Sequence, residues 1–357
     1  MNLEGKRVLI TGGTGSMGKK LVRRLLGGEM GHPSKIIILS RDEAKQHVMR
    51  LSYLDRPTTA TDEVIYANFA RAISFRIGDV RSYPDVCAAM READVVVNAA
   101  AMKQVPTCEY FPEQALSTNC LGAANIVQAL RDHDYPVEAV VGVSTDKACK
   151  PVNAMGMTKA LQERIFIAAN ITVPKTRFVC IRYGNVLASR GSVIPLFLDQ
   201  IAHGGPVTVT VPEMTRFLLS LDTAVDAVFA ALRTARAGET LVPRASSATV
   251  MNMAKALVGD RGVPIKITGI RPGEKMDEIM ISDEESRRSI ARGDWYAILP
   301  MLPELIQHDD QRRPPVLEKE FSSSDRILDL AGTVALLSKH RLMPAQAIVK
   351  DGGELLA

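Results

Sequence analysis

The sequence predicts an α/β fold, a doubly wound parallel sheet of the Rossmann type with a smaller C-terminal α/β domain. Two observations carry that reading. Short apolar, β-branched runs alternate with segments of helical spacing through residue 182, the pattern of strand-helix-strand units that build a parallel sheet. The first run also delivers a glycine-rich turn straight into the first helical segment. After Tyr183-Gly184-Asn185-Val186 the alternation changes: glycine and proline become frequent and the strand-like runs shorten. The expected organisation is a dinucleotide-binding domain over residues 1–182, a substrate domain over 183–306 partly interleaved with it, and a peripheral tail over 307–357.

Size and composition set limits on this picture. With 357 residues, 46% of them apolar, the chain can bury a large core. Its longest apolar runs, such as Ile36–Leu39, fall far short of the roughly 20 residues that cross a bilayer, so no membrane span is expected. The N-terminus passes directly into a strand with no apolar leader, which points to the cytoplasm. Five cysteines (Cys87, Cys108, Cys120, Cys149 and Cys180) lack paired spacing and read as free buried thiols, with no disulfide or metal site expected. A net charge of +4 with dispersed basic residues gives no nucleic-acid footprint and leaves anionic small molecules as ligands.

Lys6–Thr11 is the first strand, and Lys19–Leu26 has the apolar spacing of a helix. Between them lies Gly12-Gly13-Thr14-Gly15-Ser16-Met17-Gly18, whose glycines let a backbone approach a pyrophosphate held on the positive end of the helix. Gly12, Thr14, Gly15, Ser16, Met17 and Gly18 are therefore candidate dinucleotide ligands. The second strand, Lys35–Leu39, ends in Ser40-Arg41-Asp42. An acidic residue about 20 positions on takes the ribose hydroxyls of NAD, and an arginine there takes the 2′-phosphate of NADP. Arg41, beside Ser40, argues for NADP over NAD, with Asp42 competing as a ribose ligand.

Residues 55–72 read as an inserted loop and a short helix without an assigned role. Ile73–Ile77 is the third strand; beyond it, Asp79 with Val80 suits contact with the adenine amino group. The fourth, Ala93–Asn98, releases Ala99, Ala100 and Ala101, small side chains that let the loop lie against a flat cofactor ring, then Met102 and Lys103. A helix from about Glu113 to Arg131 carries Asn119, a polar residue on an apolar face.

The fifth strand, Glu138–Val143, sends Thr145, Asp146 and Lys147 past its carboxyl end, where open α/β sheets bind their ligands. The next helix, from about Asn153 to Ala169, carries Met155 and Lys159 on its first turns, facing back toward that strand end. An aspartate and two lysines would then share one pocket and point to proton chemistry. Arg177–Arg182 is the sixth strand, followed by Tyr183. The second part carries separated basic groups, Arg190, Arg216 and Arg271, which suit a diphosphate if folded over the first domain.

Taken together, Thr-Gly-Gly-Thr-Gly-Ser-Met-Gly at 11–18, Ser-Thr-Asp-Lys-Ala at 144–148, Asn-Ala-Met-Gly-Met-Thr-Lys at 153–159, Arg-Tyr-Gly-Asn-Val at 182–186 and Arg-Pro-Gly-Glu-Lys at 271–275 resemble the extended short-chain dehydrogenase/reductases. Within them the chain resembles the UDP-N-acetylglucosamine 4,6-dehydratases, especially the 5-inverting enzymes of capsule and O-antigen sugar synthesis. Lys103-Gln104-Val105-Pro106, Ala188 to Pro195 and Met214-Thr215-Arg216-Phe217 extend the match. There is one departure: the tyrosine of the superfamily's YxxxK motif is replaced here by Met155, with Lys159 retained. A thioether cannot take a proton from a sugar hydroxyl.

The resemblance implies a nucleotide-sugar substrate, bound NADP and a homo-oligomer, dimer or hexamer. It implies cofactor contacts at Lys103, Asn119, Lys159 and Tyr183, and substrate contacts at Lys103, Asn185, Arg190, Val193, Arg216, Arg271 and Glu274. It also implies an internal redox dehydration. Lys147, as a neutral amine, removes the C5 proton; Asp146 protonates the leaving C6 hydroxyl; Lys159 holds the nicotinamide ribose. Thr145 and Met155 complete the catalytic set. A retaining dehydratase, a nucleotide-sugar 4-epimerase and a non-catalytic NADP-binding regulator are the alternatives.

Overall fold

The computed structural model describes residues 1–54, 60–187, 192–344, 348–350 and 354–356. Its centre is a parallel sheet of β1 (Arg7–Thr11), β2 (Lys35–Ser40), β3 (Ile73–Ile77), β4 (Val95–Asn98), β5 (Ala139–Thr145) and β6 (Arg177–Tyr183), in the order 3-2-1-4-5-6. The central strands are largely apolar because both faces are covered, whereas β3 at the sheet edge leaves Arg76 and Ile77 exposed. Val8, Ile10, Ile36 and Ile38 face helix α1 (Ser16–Leu26) and the Leu221–Thr234 helix. Leu9, Ile37, Val96 and Val140 face the helices Tyr83–Met90, Gly122–Asp132 and Ala154–Thr172. Chain order reverses between β1 and β4, and the crevice at their carboxyl ends is where such sheets take ligands.

The sheet does not stop at residue 182. Thr240–Pro243 adds parallel to β6, then Trp295–Ile298 and Ser289–Arg292 add antiparallel, giving nine strands. The second part has its own four-stranded sheet, Ile327–Leu328, Ser247–Thr249, Thr215–Leu219 and Asn185–Val186, over a core that includes Phe197, Met253 and Leu257.

Three segments differ from the sequence reading. Helix Glu43–Leu54 follows β2 unannounced, its start held by Lys45 N donating to Asp42 Oδ1 at 2.9 Å. Of the expected insertion, Ala60–Ala72 is a full helix, Ile65 and Phe69 pack into the main core, and 55–59 lie outside the described residues. Within the region after 307, residues 321–342 are built into the fold rather than peripheral: the Phe321 ring lies tilted at 5.1 Å from Phe217 and edge-on at 5.4 Å from Tyr296, and Leu337 is buried in the second core. Apolar burial ties it in place, which polar average composition conceals.

The helix expected over 113–131 runs from Pro112 to Asp132 but widens into a π-helical stretch, Leu116–Leu121, with Asn119 inside it. Such widened turns cluster at functional sites.

Candidate active site

The glycine turn is built by close backbone contacts. Gly12 has φ +67°, and a Cβ on it would stand 2.8 Å from the Ala100 backbone. On Gly18 a Cβ would meet the Gly13 backbone at 2.5 Å, so α1 seats directly against the turn. Gly15 is different: a Cβ there meets only Gly12 O, at 3.4 Å. Gly15 caps α1 without a side-chain hydrogen bond, and the first turn holds no acid. The positive end of the helix is thus left for an anion, and these residues fit a dinucleotide pyrophosphate.

From this turn a cavity of about 1110 Å³ runs along the carboxyl ends of the strands. Its wall takes in Gly12, Thr14–Gly18, Asp42, Ala99–Lys103, Thr145, Lys147, Met155, Lys159 and Tyr183, then Asn185, Val193, Arg216, Arg271 and Glu274 on the second part. Residues 229 positions apart in the chain therefore share one space, from Asp42 to Arg271.

Several candidates stand behind that wall instead. Ser40 Oγ is 3.0 Å from Thr14 Oγ1 and braces the turn. Asp79 is paired with Arg81 at 2.6 Å and lies 3.7 Å from Arg41, whose side chain is exposed and does not line the cavity. Val80 is buried, its carbonyl accepting from Asn125 Nδ2 at 2.8 Å. Asn119 is fully buried and grips the Met102 peptide, so it shapes the loop that forms the wall without reaching the cavity. Arg190 lies outside the described residues.

The reactive centre grows from β5. Thr145 ends the strand, and Asp146–Ala148 form one tight 3₁₀ turn. The Ala154–Thr172 helix is capped by Asn153, whose Oδ1 accepts from Gly156 N at 2.8 Å. A Cβ on Gly156 would stand 2.2 Å from Lys147 O, so only glycine lets this helix rest on the turn carrying Lys147. Met155 and Lys159 are thereby brought to the same wall.

Asp146 is fully buried and does not itself face the cavity. Its Oδ1 accepts from Thr145 Oγ1 at 2.8 Å and from Lys147 Nζ at 3.2 Å, two groups that do. Burial raises the proton affinity of this carboxyl, against the nearby Lys147 charge.

For Lys147 the expectation of a lowered proton affinity is reversed. Burial works to lower it, but Asp146 and Glu278 together outweigh burial and hold the ammonium charged. Glu278, 3.1 Å away, is a site residue that sequence reasoning misses: it follows the Arg271–Lys275 run, and nothing local marks it.

Lys159 carries the lowered value, drawn to about 8 by burial and only partly restored by Glu163. Its Nζ donates to Val143 O at 2.6 Å and Gln162 Oε1 at 2.5 Å. Beneath it, buried Arg182 is held by Glu163 at 2.6 Å and Glu285 at 2.8 Å, and Ser144 Oγ donates to Glu163 at 2.5 Å.

Among the described residues no cluster of side chains could hold a metal ion, and no helix is long and apolar enough to cross a membrane.

Strand order, glycine turn and the lysine helix after β5 define the class: this is an extended short-chain dehydrogenase/reductase fold. The chain belongs to the polysaccharide biosynthesis protein family, whose profile matches residues 8–300. It is 43% identical over 342 residues to a UDP-glucose 4-epimerase of Rickettsia conorii, covering 93% of this chain and 95% of that one. The structure of Pen from Bacillus thuringiensis superposes with a TM-score of 0.84 at 30% identity, over 96% of this chain and 100% of that one. DesIV, a dTDP-glucose 4,6-dehydratase from Streptomyces venezuelae solved with NAD and TYD bound, shares the fold with a TM-score of 0.64 at 20% identity, over 94% and 98%.

Proposed function

We propose that this protein is an NADP-dependent nucleotide-sugar 4,6-dehydratase acting on UDP-N-acetylglucosamine, with inversion at C5. One observation carries the reading: a buried carboxyl, Asp146, joined through Thr145 and Lys147 to a cavity where Met155 stands in place of a proton-carrying tyrosine. An enzyme that only oxidises and reduces C4 needs one group for the hydroxyl proton and has no use for a further base such as Lys147. One that expels water does.

The chemistry a bound nicotinamide dinucleotide supplies is hydride exchange with the sugar, first at C4 and then at C6. Thr145 takes the C4 hydroxyl proton and passes it to Asp146, whose raised proton affinity suits a group that receives a proton and later returns it. The C4 ketone acidifies C5–H; Lys147, after its ammonium has yielded a proton to solvent, removes the C5 proton as a neutral amine and returns a proton to C5 when hydride reaches C6. Asp146, through Thr145, protonates the departing C6 hydroxyl, which leaves as water. Lys159, Arg216 and Arg271 line the same cavity; in this reading Lys159 would hold the nicotinamide ribose and the two arginines would take the diphosphate. The choice of sugar and the C5 outcome rest on the resemblance of the motifs.

A second reading, a nucleotide-sugar 4-epimerase, is favoured by the name of the Rickettsia conorii relative. Incubation with UDP-N-acetylglucosamine in deuterated water separates the two. Dehydration gives a product lighter by one water with deuterium at C5, and Asp146→Asn should slow it about 10²–10⁴-fold. A product of unchanged composition, with no deuterium at C5, would make the protein an epimerase.

A further inference from the structure

Lys147 Nζ has three oxygen neighbours: Asp146 Oδ1 at 3.2 Å, Asn185 Oδ1 at 3.2 Å and Glu278 Oε1 at 3.1 Å. An ammonium has three N–H donors and no lone pair, so every donor is committed and nothing is left to accept a proton. A base held this way needs a controlling partner.

Glu278 has the placement for that role. It is 2% exposed, and its Oε2 has no hydrogen-bond partner among the described residues. Its backbone N donates to Ser323 Oγ at 2.9 Å, and it immediately precedes the strand Ile279–Ile281, which pairs with Phe321–Ser322. The carboxylate is therefore fixed by the second part of the chain and aimed at an amine carried by the first. Burying it is costly unless a cation stands opposite, and Lys147 supplies the nearest.

We propose that Glu278 is the positioning residue for Lys147, tying the amine to the segment after Arg271–Lys275 and governing when it is free to take the C5 proton. The proposal rests on Lys147 being the base of the proposed dehydration. The other charged groups around it are Asp146 on the same turn, Arg216 with Nε 3.8 Å from Glu278 Oε1, Lys275 bonded to Cys149 O at 2.8 Å, and Lys159 bonded to Val143 O across the cavity. None of these is a carboxylate from the second part; Glu278 supplies it. Removing its charge while keeping its shape leaves Lys147 with Asp146 alone, so the uncharged amine forms at lower pH.

Glu278→Gln in the full-length enzyme tests this by two measurements. The first is the NMR titration of Lys147 followed at its side-chain Cε and Nζ in uniformly ¹³C,¹⁵N-labelled protein, which leaves the ammonium donors intact, the resonance assigned by its loss in Lys147→Arg. The second is the pH profile of kcat/KM with UDP-N-acetylglucosamine. In Glu278→Gln the resonance should titrate about one pH unit lower or more, the acid limb of kcat/KM should move with it, and KM should stay within about twofold. A Lys147 resonance that titrates at the same pH in both proteins overturns the proposal. A resonance that moves in an enzyme whose product keeps its water upholds the hold of Glu278 on Lys147 and overturns the dehydratase reading alone.

Discussion

Asn119 grips the Met102 peptide from both sides: its Oδ1 accepts from Met102 N at 2.9 Å and its Nδ2 donates to Met102 O at 3.1 Å. The same Nδ2 lies 2.9 Å from Thr158 Oγ1, so one side chain locks the loop after β4 to the helix that carries Lys159. Asn119→Leu keeps the bulk and strips a buried peptide of its partners, which costs about 2–3 kcal/mol. Urea unfolding should show that loss, and calorimetric titration should show weakened cofactor binding. Unchanged cofactor affinity would mean the loop holds its shape without Asn119.

Gly15 and Gly18 should behave differently when changed to alanine. The Gly18 Cβ collides with the Gly13 backbone at 2.5 Å, so Gly18→Ala should lower Tm by several degrees. The Gly15 Cβ has room, so Gly15→Ala should keep Tm and lose about tenfold or more in dinucleotide affinity, because the methyl occupies the approach of the pyrophosphate. Thermal melts paired with cofactor titrations read both. Equal affinity in Gly15→Ala and wild type would put the phosphates elsewhere.

Arg41 is exposed and lies 3.7 Å from Asp79. If it receives the 2′-phosphate, Arg41→Ala should weaken NADP about tenfold and leave NAD unchanged, the size of one charge-assisted hydrogen bond. Equal effects on both cofactors would assign the ribose to Asp42, which lines the cavity.

Acid should unfold the protein partly through Glu285. Burial pushes its carboxyl up, but the Arg182 charge overrides burial and draws it from 4.5 to about 2. A folded value below the unfolded one means that the stabilisation is complete above about pH 4.5 and is lost as pH falls toward 2. The shift corresponds to about 3 kcal/mol. Urea midpoints at pH 7 and pH 3 should therefore differ more in wild type than in Glu285→Gln, which should also be less stable at pH 7. Parallel pH dependence in the two proteins would remove Glu285 from the acid response.

Much of this architecture is legible in the chain because its signals are local. Most of β1 to β6 are short apolar runs alternating with helical segments, the pattern of a buried parallel sheet, and the Gly12–Gly18 spacing marks the turn between β1 and α1. Asp146 and Lys147 announce themselves by their place at a strand end. Glu278 does not, because its meaning comes from Lys147, 131 positions earlier, and only the fold supplies that meeting. Asn119 reads as a ligand for a related reason: a polar residue on an apolar face signals either a ligand or a buried peptide to satisfy. Phe321 is hidden by its polar neighbours, although its ring reaches the main core.

The packing of Phe321 against Phe217 and Tyr296 also bears on the order of events during synthesis. A nascent chain can lay down β1 to β6 while later residues are still in the ribosome tunnel. Glu278 and its strand gain their pairing partner only once Phe321–Ser322 emerges. The dinucleotide cleft can therefore form well before the lysine acquires its final restraint, so the reactive machinery is armed last.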